Sequence, residues 1–404
     1  MIKAFKYRLY PTRKQAAVLQ FTLDLNRELY NAALQERRDA WRMNKVSITY
    51  QMQSAQLPEI KEDRPEYNEI YSQILQDTLK RVDKAFKAFF RRVKKGEKAG
   101  YPRFQGRERY DSFCYPQIEK LKGNPTVRIE NGKVILPKIG HVKVKQHRPL
   151  KGKVKTATIK REGDCWYAVF TCELDAQKKL PYTDLAIGID MGLKHFYTSS
   201  NGDVVDNPRF FRKSHGRLKK QQQRLAKKKK WSNRRKRAAD RVAKAHKKIR
   251  NQRRDFQQKH SRLLVDTFEI IVFEDLSLHH MVKRPKAVVS ENGKYLPNGA
   301  AAKAGLNKSI VDAGWASFIE LVKHKAEYAG VTVMQVDPKK TSQMCSACGK
   351  EGEHKDLSVR THSCVHCGIV LDRDHNAAIN ILDRGLGRSP REPVDTGTFR
   401  VAIA

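Results

Sequence analysis

Cys345-x-x-Cys348 and Cys364-x-x-Cys367, with fifteen residues between the pairs, constrain this chain more than any other feature. Two C-x2-C turns at that distance supply the four thiolates of a tetrahedral zinc site, in which every coordination position is filled. A zinc ion held this way folds the segment around it and hydrolyses nothing. His362 and His366 lie within the segment as bystanders. The other three cysteines, Cys114, Cys165 and Cys172, stand among aromatic or apolar neighbours and read as core fillers. Seven cysteines with two such pairs fit a reducing compartment, the cytoplasm, better than a disulfide framework.

Charge points to the partner. Lys and Arg number 82 against 43 acidic residues, a net +39, which is far beyond what solubility needs and predicts a polyanion. No apolar run approaches the length of a membrane span, so nucleic acid is the expected partner and membrane is not. The first residues, Met-Ile-Lys-Ala-Phe-Lys-Tyr-Arg, carry charges too closely spaced for a secretion signal. Between 209 and 262 there are 24 Lys and Arg and two acidic residues. Leu218 and Leu225, then Val242, His246, Ile249, Phe256 and Leu263, keep a helical period there. Two basic helices are expected, broken near Trp231-Ser-Asn. Lys227, Lys228, Lys229, Lys230, Arg234 and Arg235 at that break are the expected nucleic-acid contacts.

Periodicity divides the rest. Residues 2–9 alternate as a half-buried strand, and Thr12 to Gln15 is a capping box opening a helix. Residues 11–96 are mostly helical. From about 125 to 175 the period changes to two, with Asn131-Gly132 as a type I′ turn, and a small antiparallel barrel completed by the first strand is expected. Residues 281–308, rich in Lys, Ala, Gly and Pro, read as a mobile loop. A helix opening at Asp312 buries Trp315, Phe318, Ile319 and Val322.

Three carboxylates carry the candidate chemistry. Leu185-Ala-Ile-Gly-Ile-Asp190 is an apolar strand ending in an acid, Phe268–Phe273 is another ending at Glu274, and a last helix begins near Asp374. The order is strand with Asp, hairpin, helices, strand with Glu, helix, strand, helix with Asp. That is the succession of the RNase H fold, in which three acids converge at one edge of a five-stranded mixed sheet. Metal-assisted phosphodiester hydrolysis uses two divalent cations, Mg²⁺ or Mn²⁺, on such hard oxygen ligands. Asp372 reads as the cap of the last helix, Asp275 as pointing away, and His279-His280 as a loop feature.

These residues resemble the TnpB family, transposon-encoded RNA-guided nucleases related to type V CRISPR effectors. The resemblance spans nearly the whole chain. It rests on Phe5-Lys-Tyr-Arg-Leu-Tyr-Pro-Thr12, Tyr30-Asn31, Tyr101-Pro-Arg-Phe104, Gly188-Ile-Asp190-Met-Gly192, Phe273-Glu-Asp-Leu276 and Asp312-Ala-Gly-Trp315. It continues through Thr341-Ser-Gln-Met-Cys345-Ser-Ala-Cys348-Gly, Cys364-Val-His-Cys367-Gly and Asp372-Arg-Asp374-His-Asn-Ala-Ala.

The resemblance implies a multidomain α/β plus β architecture. Residues 1–10 and 121–182 would form a wedge β-barrel and 11–120 a helical recognition domain. Residues 183–340 and 371–388 would form an RNase H-like (RuvC) nuclease, with 341–370 as a zinc-ribbon insert that binds target nucleic acid and 389–404 as a tail. By the same resemblance Asp190, Glu274 and Asp374 are the catalytic acids. The partners it implies are a guide RNA from the transposon end and double-stranded target DNA, which would be cut beside a short motif on the nucleoid. A nuclease-inactive repressor would share the architecture but lose an acid, and a miniature CRISPR effector would have the same chemistry. A strand-transferring transposase would order its acids differently.

Overall fold

The computed structural model describes residues 2–118, 120–121, 124–174, 184–352 and 359–388. The expected boundary at 182/183, part of the expected 341–370 insert and the expected tail at 389–404 lie outside the described residues. Two compact units divide the chain, Met1–Ala176 and Gln177–Ala404. Among the described residues no helix is long and apolar enough to cross a membrane.

The first unit pairs a seven-stranded antiparallel sheet with helices. The strand order is Ser112–Tyr115, Lys153–Glu162, Cys165–Glu173, Ile2–Tyr10, Gly140–Lys145, Lys133–Leu136, Arg128–Glu130. The first strand is therefore central, pairing Phe5 with Phe170 on one side and Leu9 with Val144 on the other. Alternation puts Phe5, Tyr7 and Leu9 in the core, as period two requires. The sheet curls, since Tyr115 on one edge strand donates its hydroxyl to Pro137 in a turn beyond the centre, at 3.1 Å. Asn131 at φ 48 and Gly132 at φ 69 make the hairpin turn that the Asn-Gly pair predicts. Ser112–Tyr115, expected in the helical region, is an edge strand; four residues are too few to show a period.

Helix Arg13–Asn44 opens with the capping box of Thr12 and Gln15. It packs Leu19, Leu23, Tyr30 and Leu34 against Ile74, Leu75, Leu79 and Val82 of helix Ser72–Lys94. Between them the Thr78 hydroxyl donates to Asn26 Oδ1 at 2.6 Å, pairing two buried polar groups.

The second unit holds a five-stranded mixed sheet in the order Val204–Asp206, His195–Ser199, Ala186–Asp190, Ile270–Glu274, Thr332–Val336. The first three strands form an antiparallel meander, and the last two run parallel to Ala186–Asp190. Ile187, Ile189, Ile271 and Phe273 face a core built on Trp315, Phe318 and Val322, with Leu264 and Val265 beside them. The other face carries Val272, covered by Ile381 and Leu382 of the last helix, Arg373–Leu386.

Two expectations fail here. Residues 281–308 are not a loop throughout, because Ala300–Ala313 is a helix whose Ile310 and Ala313 are buried. Its alanine-rich run favours helix despite Gly305. The next helix opens at Trp315 rather than Asp312, because Gly314 at φ 69 ends one helix and starts the other.

Candidate metal centres

The acids meet through register. Ile189 pairs with Phe273 in parallel strands, so Asp190 and Glu274, one residue on, end neighbouring strands at the same level and on the same face. Gly188 shares that face. A Cβ on it would stand 2.2 Å from the Ala378 carbonyl oxygen and 2.7 Å from the Leu382 nitrogen, so the last helix lies in backbone contact with the Asp190 strand. Gly385 sits as tightly on Val272, where a Cβ would meet its Cγ2 at 2.5 Å. Two residues along the strand from Gly188 is Asp190. One turn back along the helix from Ala378 is Asp374. The close packing thus carries Asp374 to the edge where Asp190 and Glu274 end.

Electrostatics register the convergence. Asp190 is held well above the ordinary carboxylate range, by loss of hydration first and then by the charges of Glu274 and Asp374. Glu274, 9% exposed, is raised chiefly by burial, against the hydrogen bond from Thr341 and the charge of Arg384. Arg360 Nη1 lies 3.7 Å from Asp374 Oδ1. Hard oxygens crowded at like charge are what divalent cations neutralise, so the donor set fits such ions. Asp372 caps the last helix, accepting from the amides of Asp374 and His375 at 2.9 and 3.2 Å. Asp275 is exposed and donates its amide to Val336.

The four cysteines form a tighter group. Their sulfurs all lie within 4.8 Å of one another, the one such cluster among the described residues. Cys345 and Cys367 are 3.6 Å apart, as are Cys348 and Cys364. A tetrahedron of Zn–S bonds of about 2.3 Å has edges of roughly 3.8 Å, so a single metal ion fits. Each pair sits in the same turn. The amide of Cys345 donates to Lys350 and that of Gly349 to Cys345; Cys364, Ile369 and Gly368 repeat the pattern. Amides of Cys367 and His366 push the Cys364 thiol down to about 6, whereas burial pushes Cys345 up to about 12.

Side-chain amides tie this module to the last helix. Asn376 accepts from Ser346 N at 2.9 Å and donates to the Met344 carbonyl at 2.8 Å. Asn380 donates to the carbonyls of Thr341 and Met344. Thr341 in turn donates its hydroxyl to Glu274 Oε1 at 2.5 Å. Sequence reasoning missed Asn376, Asn380, Thr341 and Arg360. The Asn at every fourth position on a helix facing the cysteines was the one available signal for the first two.

The basic segment is two helices, Phe210–Ala226 and Asn233–Thr267, packed on each other across a short turn. Lys227, Lys228, Lys229, Lys230 and Arg234 are exposed at the turn. Arg235 is turned inward, its Nη1 donating to the carbonyls of Leu225 and Lys228. Buried Asp312, on another helix, accepts from the amides of Phe211 and Arg212 and from Arg253 Nη2 at 2.8 Å. It caps a helix whose own Arg209 offers no side-chain cap. A cavity of about 450 Å³ beside it is lined by Lys194, Arg209, Arg212, Lys308 and Arg360.

Residues 169–285 match the OrfB family model described as "Probable transposase", 315–381 a "Cas12f1-like, TNB domain", and 1–45 a "Helix-turn-helix domain". "Putative RNA-guided DNA endonuclease InsQ" of Escherichia coli (strain K12) is 31% identical over 95% of this chain and 92% of its own. "Putative RNA-guided DNA endonuclease" of Streptomyces pristinaespiralis is 34% identical over 96% of this chain and 90% of its own. Among solved structures, CasPhi-2 (Cas12j) bound to crRNA covers 97% of this chain and 99% of its own, at 12% identity and a TM-score of 0.47.

Proposed function

The chain belongs to the TnpB family, and we propose that it is an RNA-guided DNA endonuclease, cutting guide-matched duplex DNA beside a short motif. One observation carries the nuclease reading. Asp190 and Glu274 end parallel strands at one level, and the helix bearing Asp374 lies against that face. The strand order of the sheet, an antiparallel meander followed by two parallel strands, supports reading it as an RNase H-like core.

Asp190, Glu274 and Asp374 are the residues that would hold two Mg²⁺ or Mn²⁺ ions. Bound there, such ions activate water and stabilise the leaving oxygen of the phosphodiester. The chain's own residues do the rest. Burial at the sheet edge lowers the local dielectric and strengthens every charge interaction made there. Arg360 places a guanidinium beside Asp374, where a scissile phosphate would meet a cation with fork geometry. Zinc is the metal we assign to Cys345, Cys348, Cys364 and Cys367, as a structural ion with no open position.

The exposed lysines of the basic turn, with Arg234, are assigned to phosphate contact, and Arg235 to bracing that turn. Guide RNA and target DNA together would offset the +39 net charge.

The test is to sequence the RNA that copurifies with the protein and to offer DNA matching it, with Mg²⁺. Cutting confined to matched DNA is expected. RNA-free protein that cuts duplex DNA regardless of sequence would replace this reading with an unguided nuclease.

A further inference from the structure

Thr341 joins the two metal centres. It is 4% exposed, it follows the last strand of the sheet, and it precedes Cys345 by four residues. Its hydroxyl oxygen lies 2.5 Å from Glu274 Oε1, to which it donates; the Pro338 carbonyl, at 3.2 Å, is the weaker acceptor. A glutamate side chain has three rotatable bonds, and one fixed oxygen removes most of that freedom. Oε2 is then left for a cation.

Thr341 is itself held from two sides. Asn380 of the last helix donates to its carbonyl at 2.8 Å. Asn380 and Asn376 also grip the Met344 carbonyl, at 2.7 and 2.8 Å, immediately before Cys345. The segment 341–346 is thereby laid along the helix that carries Asp374. Arg384, on the same helix, donates to the carbonyls of Asp337 and Lys339 just upstream.

We propose that Thr341 is a positioning residue for Glu274, by which the folded cysteine module sets the orientation of one of the three acids. The proposal rests on reading Asp190, Glu274 and Asp374 as cation ligands. It makes the module part of the nuclease site's geometry, beyond any role in binding nucleic acid. A partner that orients a metal ligand typically contributes about 10–100-fold in metal affinity or activity.

The experiment uses the full chain with its RNA, as Thr341→Val, Thr341→Ser and Glu274→Gln, and reads four quantities. These are Mn²⁺ affinity by electron paramagnetic resonance, cutting rate, target binding and zinc content. Thr341→Val keeps the shape and loses the donor; about a 10-fold or greater loss of Mn²⁺ affinity and a matching fall in cutting are expected. Target binding and zinc content should stay unchanged, and Thr341→Ser should restore Mn²⁺ affinity.

Mn²⁺ binding and cutting at the parental level in Thr341→Val, with Glu274→Gln inactive, would overturn the proposal. So would zinc loss or weakened target binding in Thr341→Val, since Thr341 would then be a structural part of the module. Full cutting by Glu274→Gln would instead overturn the nuclease assignment on which the proposal rests.

Discussion

Gly188 faces the Ala378 carbonyl so closely that a Cβ would stand 2.2 Å from its oxygen. The consequence is positional, because this contact sets how near the helix of Asp374 comes to the strand of Asp190. Gly188→Ala should push the helix off the strand, costing about 2–3 kcal/mol by overpacking. Thermal unfolding should shift down by roughly 5–10 °C, and cutting should fall further than stability alone accounts for. An unchanged melting profile would mean that the helix has room to move.

Asp190→Ala should abolish cutting while guide and target binding persist, measured by band shift and by cleavage of labelled duplex. The neighbouring acids of the last helix should separate. Asp374→Ala should remove cutting, whereas Asp372→Ala should cost about 1 kcal/mol as a lost helix cap and slow cutting less. Equal rate losses would contradict the assignment of Asp372 to capping.

One zinc per chain is expected by elemental analysis. Cys364→Ser should lower the zinc content and the melting temperature together, because a metal at the four sulfurs would hold both turns. It should also reduce cutting, through the segment that runs from Cys345 back to Thr341. A full zinc complement in that variant would sink the four-cysteine site.

Replacing Lys227, Lys228, Lys229 and Lys230 by Ala should weaken RNA binding and flatten its dependence on salt. Four lost phosphate contacts would reduce the log–log slope by up to about 3. Cation binding at the carboxylates should not change. An unaltered slope would place the phosphate contacts elsewhere on the chain.

Much of the site was legible because its signals are local. An apolar strand ending in Asp190, another ending in Glu274, and cysteines at fixed spacing are each complete within about thirty residues. The Asn131-Gly132 turn and the cap at Thr12 are read from dipeptides and tetrapeptides. What escaped is made by distant pairs. Asp312 caps a helix 100 residues away, Thr341 bonds Glu274 across 67, and Arg360 reaches Asp374 from the far side of a hairpin. Nothing in the composition around these residues distinguishes them from solvated polar groups. The helix Ala300–Ala313 escaped for another reason: Gly305 and the Gly-Pro-rich stretch before it masked a strong helix-former run.

The last helix, which closes on Gly188, is also the last of the described elements to leave the ribosome. A chain whose synthesis halts before Asp374 carries two of the three acids and no cover over that strand. The basic hairpin, by contrast, is complete by residue 267. Translation interrupted between these two points would therefore yield fragments that keep the basic hairpin and lack the third acid, and cutting would begin only once the helix of Asp374 has been added.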